Sequence, residues 1–132
     1  MHGKLVAFAA TTDAARARTF YTKVLGLAVR YEDDVALSLD SDGTELRLQK
    51  VDRFTPHPFT ALGWEVANIS ASVEQLTTHG VTLERYPWLD QDAAGIWAAP
   101  SGALVGWFRD PDGNLLSVAQ YASSFPGGSG QA

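Results

Sequence analysis

The chain has 132 residues, 45% of them hydrophobic and 19% charged, a balance that belongs to a folded globular domain and excludes a disordered one. It contains no cysteine, which removes disulfides, thiolate-bound zinc, iron–sulfur clusters and thiol catalysis, and fits a reducing cytoplasm. Fifteen acidic residues against ten basic ones leave a net charge of −5, so a nucleic-acid partner is not expected. Apolar runs such as residues 5–10 are too short to span a bilayer, and the N-terminus lacks the layout of a signal peptide. The expectation is one soluble cytoplasmic domain with no membrane partner.

Residues 4–10 (KLVAFAA) predict a short buried strand. Thr11, Thr12 and Asp13 supply side-chain oxygens that can accept the orphan N–H groups of a helix start. The helix is expected to run to Leu25 with Ala17, Phe20, Tyr21, Val24 and Leu25 on its apolar stripe, ending at Gly26. Strands follow at 27–32, 35–40 and 44–51, separated by the turn signals Asp33-Asp34 and Ser41-Asp42-Gly43. Residues 52–60 (DRFTPHPFT) carry two prolines and no period and read as a linker.

The same order then returns. A strand at 61–67 precedes caps at Asn68 or Ser70, a helix to His79, the stop at Gly80, and strands at 81–86, 95–99, 103–109 and 115–121. Asp13 to Gly26 and Asn68 to Gly80 are steps of nearly equal length, and Gly43 and Gly113 each precede a last strand. Two βαβββ modules, 4–51 and 61–121, offset by about 55 residues, account for this better than one continuous fold. The tail 125–132 is flexible by composition.

The strings FYTKVLGL (20–27) and FRDPDGNLLSVAQ (108–120) resemble the vicinal-oxygen-chelate superfamily of glyoxalases, extradiol dioxygenases and bleomycin-resistance proteins. The likeness covers 4–121. It implies an α+β fold in which two βαβββ modules form a curled mixed sheet around a pocket (the glyoxalase/bleomycin-resistance-like fold), and a homodimer. In the DPDGN turn, Pro111 fixes φ at the first corner, while Gly113 and Asn114 tolerate the left-handed conformation.

Enzymes of the superfamily hold a divalent ion with inward His or Glu side chains from the first and last strands of each module. Counting from the repeat, those places fall at Val6 and Ala61, seven residues before the caps, and at Arg47 and Ser117, four residues after the turn glycines. Val and Ala have no lone pair, a guanidinium presents only donors, and a neutral serine is a poor ligand. The three histidines, His2, His57 and His79, are scattered. No metal and no cofactor is therefore expected.

What the pocket offers instead is Arg47, either a clamp for a carboxylate, phosphate or enolate, or one half of an internal ion pair with Glu65 or Glu45. Trp64, Trp88, Trp97 and Trp107 are concentrated in the second module. Trp64 and Trp107 read as core or interface, while Trp88 and Trp97 border the loop 89–95 and are the better candidates to stack on a ligand. Asp90, Gln91 and Asp92 in that loop form either an acidic rim or a solvated turn. Tyr21, Glu65, Asp90 and Asp92 are the groups available for acid–base work, with nothing in their spacing to choose a catalyst.

The leading reading is a metal-independent small-molecule-binding protein that sequesters an antibiotic or carries an aromatic or amphipathic ligand. Its site is expected near Val6, Arg47, Ala61 and Ser117, with Trp88, Trp97 and Asp90 at the rim. The alternative is a lyase, isomerase or dioxygenase of the superfamily acting on a small oxygenated substrate.

Overall fold

The computed structural model describes residues 1–122; the tail predicted at 125–132 lies outside the described residues. The element order is β1 (Val6–Thr11), α1 (Ala14–Thr19) with a π-helical continuation (Phe20–Val24), β2 (Ala28–Glu32), β3 (Ala36–Ser41), β4 (Thr44–Lys50), β5 (Leu62–Glu65), α2 (Ile69–Thr78), β6 (Trp97–Ala98), β7 (Leu104–Arg109) and β8 (Leu115–Gln120). This is βαβββ twice. The strands form two four-stranded sheets, ordered β1-β4-β3-β2 and β5-β8-β7-β6. Two compact units result: residues 1–62 with 110–115, and 63–109 with 116–122.

In the first unit Asp13 caps α1, accepting from the Arg16 N–H at 3.1 Å. The helix runs on as expected to its C-cap at Leu25, but it is not α-helical throughout. The last turn widens into a π-helix, and Gly26 closes it at φ +76°, a conformation glycine adopts without a Cβ clash. The parallel pair β1–β4 and the antiparallel pairs β4–β3 and β3–β2 make a mixed sheet. Alternation sorts its two faces. Leu37 and Leu39 face Leu48 and Leu46 across the ladder, and all four are buried with Ala17, Phe20 and Tyr21 as the apolar core. The opposite face carries Val6, Phe8, Ser38, Glu45, Arg47 and Gln49.

The turn at Asp110–Asn114 belongs to this first unit. Asp110 organises it: one carboxylate oxygen accepts the Asp112 and Asn114 N–H groups at 2.9 Å, the other the Tyr21 hydroxyl at 2.7 Å and the Asn114 amide at 2.8 Å. Gly113 is left-handed at φ +88°, as expected. Asn114 is not. Its contribution is the side-chain amide, which also donates to the Ala10 carbonyl at 2.9 Å.

In the second unit α2 buries Ile69, Val73 and Leu76, one stripe at helical spacing, within a core that includes Leu83, Phe108, Leu116 and Val118. Asn68, rather than Ser70, is its cap. The strand predicted at 81–86 does not join the ladder. Leu83 points into the core while the Glu84 N–H makes one bond to the Trp107 carbonyl at 2.7 Å, and the chain then turns off at Pro87. The strand predicted at 95–99 shrinks to two residues, because Asp92 spends its carboxylate on the Ala94 and Ile96 N–H groups and holds that stretch in a turn.

Candidate functional site

The polar face of the first sheet is assembled by register. Glu45 and Arg47 alternate along β4, placing them beside Val6 and Phe8 of β1 and opposite Asp40 and Ser38 of β3. Ser38 is fully buried and donates to Glu45 Oε2 at 2.7 Å. That hydrogen bond, reinforced by Arg47, holds the Glu45 carboxyl below the usual range despite partial desolvation, so it is a carboxylate at neutral pH. Arg47 Nη1 donates to the Tyr31 hydroxyl and lies 3.4 Å from Glu45 Oε2. Its guanidinium carbon also stands 5.8 Å from the centre of the Tyr31 ring. A bulge in β2 between Val29 and Tyr31 brings that tyrosine opposite Ser38.

Phe8 is half exposed although it is a large aromatic side chain. With Gln49 it forms part of the wall of a cleft of about 210 Å³, which continues over Ala10, Phe54, His57 and Ala61. The linker segment supplies one side of this cleft, and His57 is stacked on Phe59 at 4.9 Å.

The second unit carries the aromatic group. Trp97 and Trp107 rings lie 6.0 Å apart, Tyr86 meets Trp107 edge-on at 5.6 Å, and Trp88 lies 5.1 Å from Tyr86 with 75% of its surface exposed. Trp97 pairs with Val105 on β7, which puts Trp97, Val105 and Trp107 on one face of that sheet. Asp90 lies elsewhere. It lines a shallow hollow with Ser70 of α2 and with Ala98 and Leu104, which lie on the opposite face of the sheet. Gln91 holds the loop by donating to the Glu84 and Gly95 carbonyls and accepting from the Tyr86 N–H.

Of the four positions singled out by the repeat, Val6 and Arg47 therefore share one sheet face in the first unit, and Ala61 lines the cleft there while its N–H donates to the Leu115 carbonyl at 2.8 Å. Ser117 belongs to the second unit, packed so closely on Gly63 that a Cβ at Gly63 would stand 2.6 Å from the serine oxygen. This donor set does not fit a divalent ion: two aliphatic side chains, one cation and one neutral hydroxyl. Among the described residues no three His, Asp or Glu side chains gather into a possible metal centre.

Tyr21, one of the acid–base candidates, is fully buried on Asp110, and burial followed by the Asp110 charge drives its pKa far above the ordinary value of 10.0. It is a structural donor. Sequence reasoning did not single out Tyr31, Ser38 or Phe8. The alternation of polar and apolar residues along 36–41 marks Ser38, whereas Tyr31 arrives through a bulge that no spacing announces.

A family model described as the Glyoxalase/Bleomycin resistance protein/Dioxygenase superfamily matches residues 5–118. The chain belongs to that superfamily. Among solved structures of the same fold, the fosfomycin resistance protein FosX from Listeria monocytogenes superposes with a TM-score of 0.73 at 10% identity, over 92% of this chain and 95% of that one. A glyoxalase/bleomycin resistance protein/dioxygenase from Alicyclobacillus acidocaldarius gives 0.69 at 18% identity, over 90% and 91%. A member of the superfamily from Sphaerobacter thermophilus gives 0.69 at 22%, over 88% and 96%. At these identities the likeness is one of fold. No curated protein matches the chain. Among the described residues no helix is long and apolar enough to cross a membrane.

Proposed function

We propose that this member of the superfamily is a metal-independent small-molecule-binding protein, cytoplasmic and homodimeric, that sequesters or carries an aromatic or amphipathic ligand. The observation that carries the reading is Arg47, a half-buried cation on the sheet face that also carries Phe8, at a place that the repeat count assigns to one of the ligand positions implied by the resemblance. A guanidinium there repels a divalent ion and attracts an oxyanion. The aromatic group of Tyr86, Trp88, Trp97 and Trp107 supports the same reading, since the exposed ring of Trp88 offers a π-face that suits a flat ligand. The resistance function named for FosX is consistent with a chain that handles an antibiotic-sized molecule.

The test is quenching of tryptophan fluorescence by a panel of aromatic and amphipathic compounds, repeated with Arg47→Ala. Saturable quenching that weakens about tenfold or more in the variant, with the melting temperature unchanged, is the expected result. A variant that melts lower yet binds every compound as before makes Arg47 half of an internal ion pair and overturns the reading. Turnover of an α-keto or catechol substrate by the metal-free protein would move it to the enzymes.

A further inference from the structure

We propose that the exposed ring of Trp88, backed by Tyr86 and Trp107 in the second unit, is a site for a flat organic cation. The proposal rests on the small-molecule reading above for taking these rings as a ligand surface, adds the sign of the ligand's charge, and does not involve Arg47. The argument starts from the side of the sheet on which the rings stand. Leu83 packs on Gly106 so closely that a Cβ at Gly106 would stand 2.8 Å from its Cδ1, which puts Leu83 on the core side of β7. Trp107 and Arg109 alternate with Gly106 and Phe108 and so face the other way. Tyr86 meets Trp107 edge-on on that outer side, and Glu84 Oε1 accepts there from Arg109 Nε at 3.2 Å.

Trp88 is held without being covered. Its ring lies over that of Tyr86 at 5.1 Å with the two planes tilted by 31°, and Tyr86 is in turn braced on Trp107 and, through its N–H, on the Gln91 amide. Yet 75% of the Trp88 surface is exposed, so the face turned away from Tyr86 is open. An indole kept in place by its neighbours loses little side-chain freedom when a second ring stacks on it.

The sign of the charge follows from the unit's ionisable side chains. It carries Glu65, Glu74, Glu84, Asp90 and Asp92 against Arg85 and Arg109. Both cations are engaged. Arg85 Nη2 donates to the Asp92 and Ala93 carbonyls at 2.7 and 2.6 Å, and Arg109 is paired with Glu84. An anion brought to these rings meets the negative face of the indole quadrupole and an excess of carboxylates, whereas a cation is attracted by both. Burial, with the Glu84 charge next, raises the Tyr86 pKa, so the phenol is neutral and supplies the site with a ring.

The experiment titrates the full-length protein, labelled with nitrogen-15, with N-methylquinolinium and, in parallel, with quinoline, which keeps the ring system and is uncharged at neutral pH. The cation is expected to shift the Trp88 indole N–H signal and the Tyr86 amide, and to bind about fivefold more tightly than quinoline. Trp88→Leu keeps an apolar side chain at an exposed position and removes the π-face, so it should abolish that preference with the melting temperature unchanged. Trp88→Phe should keep part of it. Equal binding of the two compounds overturns the proposal and leaves the small-molecule reading in place. Shifts confined to the first unit, at the Arg47 side-chain Nε–H and the Phe8 amide, do the same. No shift with either compound overturns this site and counts against that reading too.

Discussion

At the scale of single residues, Asp110 and Tyr21 set the stability of the first unit. The buried carboxylate accepts two backbone and two side-chain donors, so removing the tyrosine hydroxyl leaves one oxygen short of a partner. Tyr21→Phe should cost about 1–2 kcal/mol in chemical denaturation at neutral pH. The pH dependence has a definite sign. Folding raises the Tyr21 pKa, so its contribution is complete below the unfolded value of about 10 and is lost as pH rises beyond it, because only the unfolded chain releases the proton. Wild type should therefore lose stability above pH 10 more steeply than Tyr21→Phe, and parallel denaturation curves at pH 7 and pH 10.5 check it. Asp112 behaves oppositely. Partial burial raises its pKa, but bonds from Thr11 and Thr12 and the charge of Arg16 outweigh that and lower it, so its contribution fades only in acid.

Element by element, the sequence is clearest where a local rule and the tertiary structure agree. Asp13 and Asn68 cap their helices as short oxygen-bearing side chains should, and Gly26 and Gly113 stand where a left-handed residue is required. It is least clear where one residue has two roles. Residues 81–86 alternate like a strand, but Leu83 is committed to the core and Gln91 takes the Tyr86 N–H that a neighbouring strand would have used. The site divides in the same way. Arg47 is visible from a repeat count, whereas the Tyr31 contact needs the bulge in β2 and the cleft needs the linker to fold beside β1 and β4. The loop gives a direct test. Gln91→Ala removes three hydrogen bonds at once, so the Tyr86 amide should exchange with solvent markedly faster while Leu116 and Val118 in β8 stay protected. Unchanged exchange at Tyr86 would mean that the loop is held by other contacts. Gly113→Ala should cost about 1 kcal/mol or more in thermal melts, since its φ is +88° and a Cβ would stand 3.2 Å from Pro56.

For the whole molecule, the family fold is present, and the proposal of metal independence rests on the side chains at the places counted from the repeat. Two aliphatic residues, a guanidinium and a hydroxyl stand at the places counted from the repeat, and the polar side chains that do gather around Arg47 are Ser38, Tyr31 and Glu45. On the function proposed above, the ligand is held by burial and by one oriented charge and is bound stoichiometrically. The measurement that tests this most directly is the metal content of the untagged protein by elemental analysis, before and after incubation with nickel, zinc, manganese and ferrous iron. The proposal requires that none be retained in stoichiometric amount, and stoichiometric retention of any one of them would contradict it.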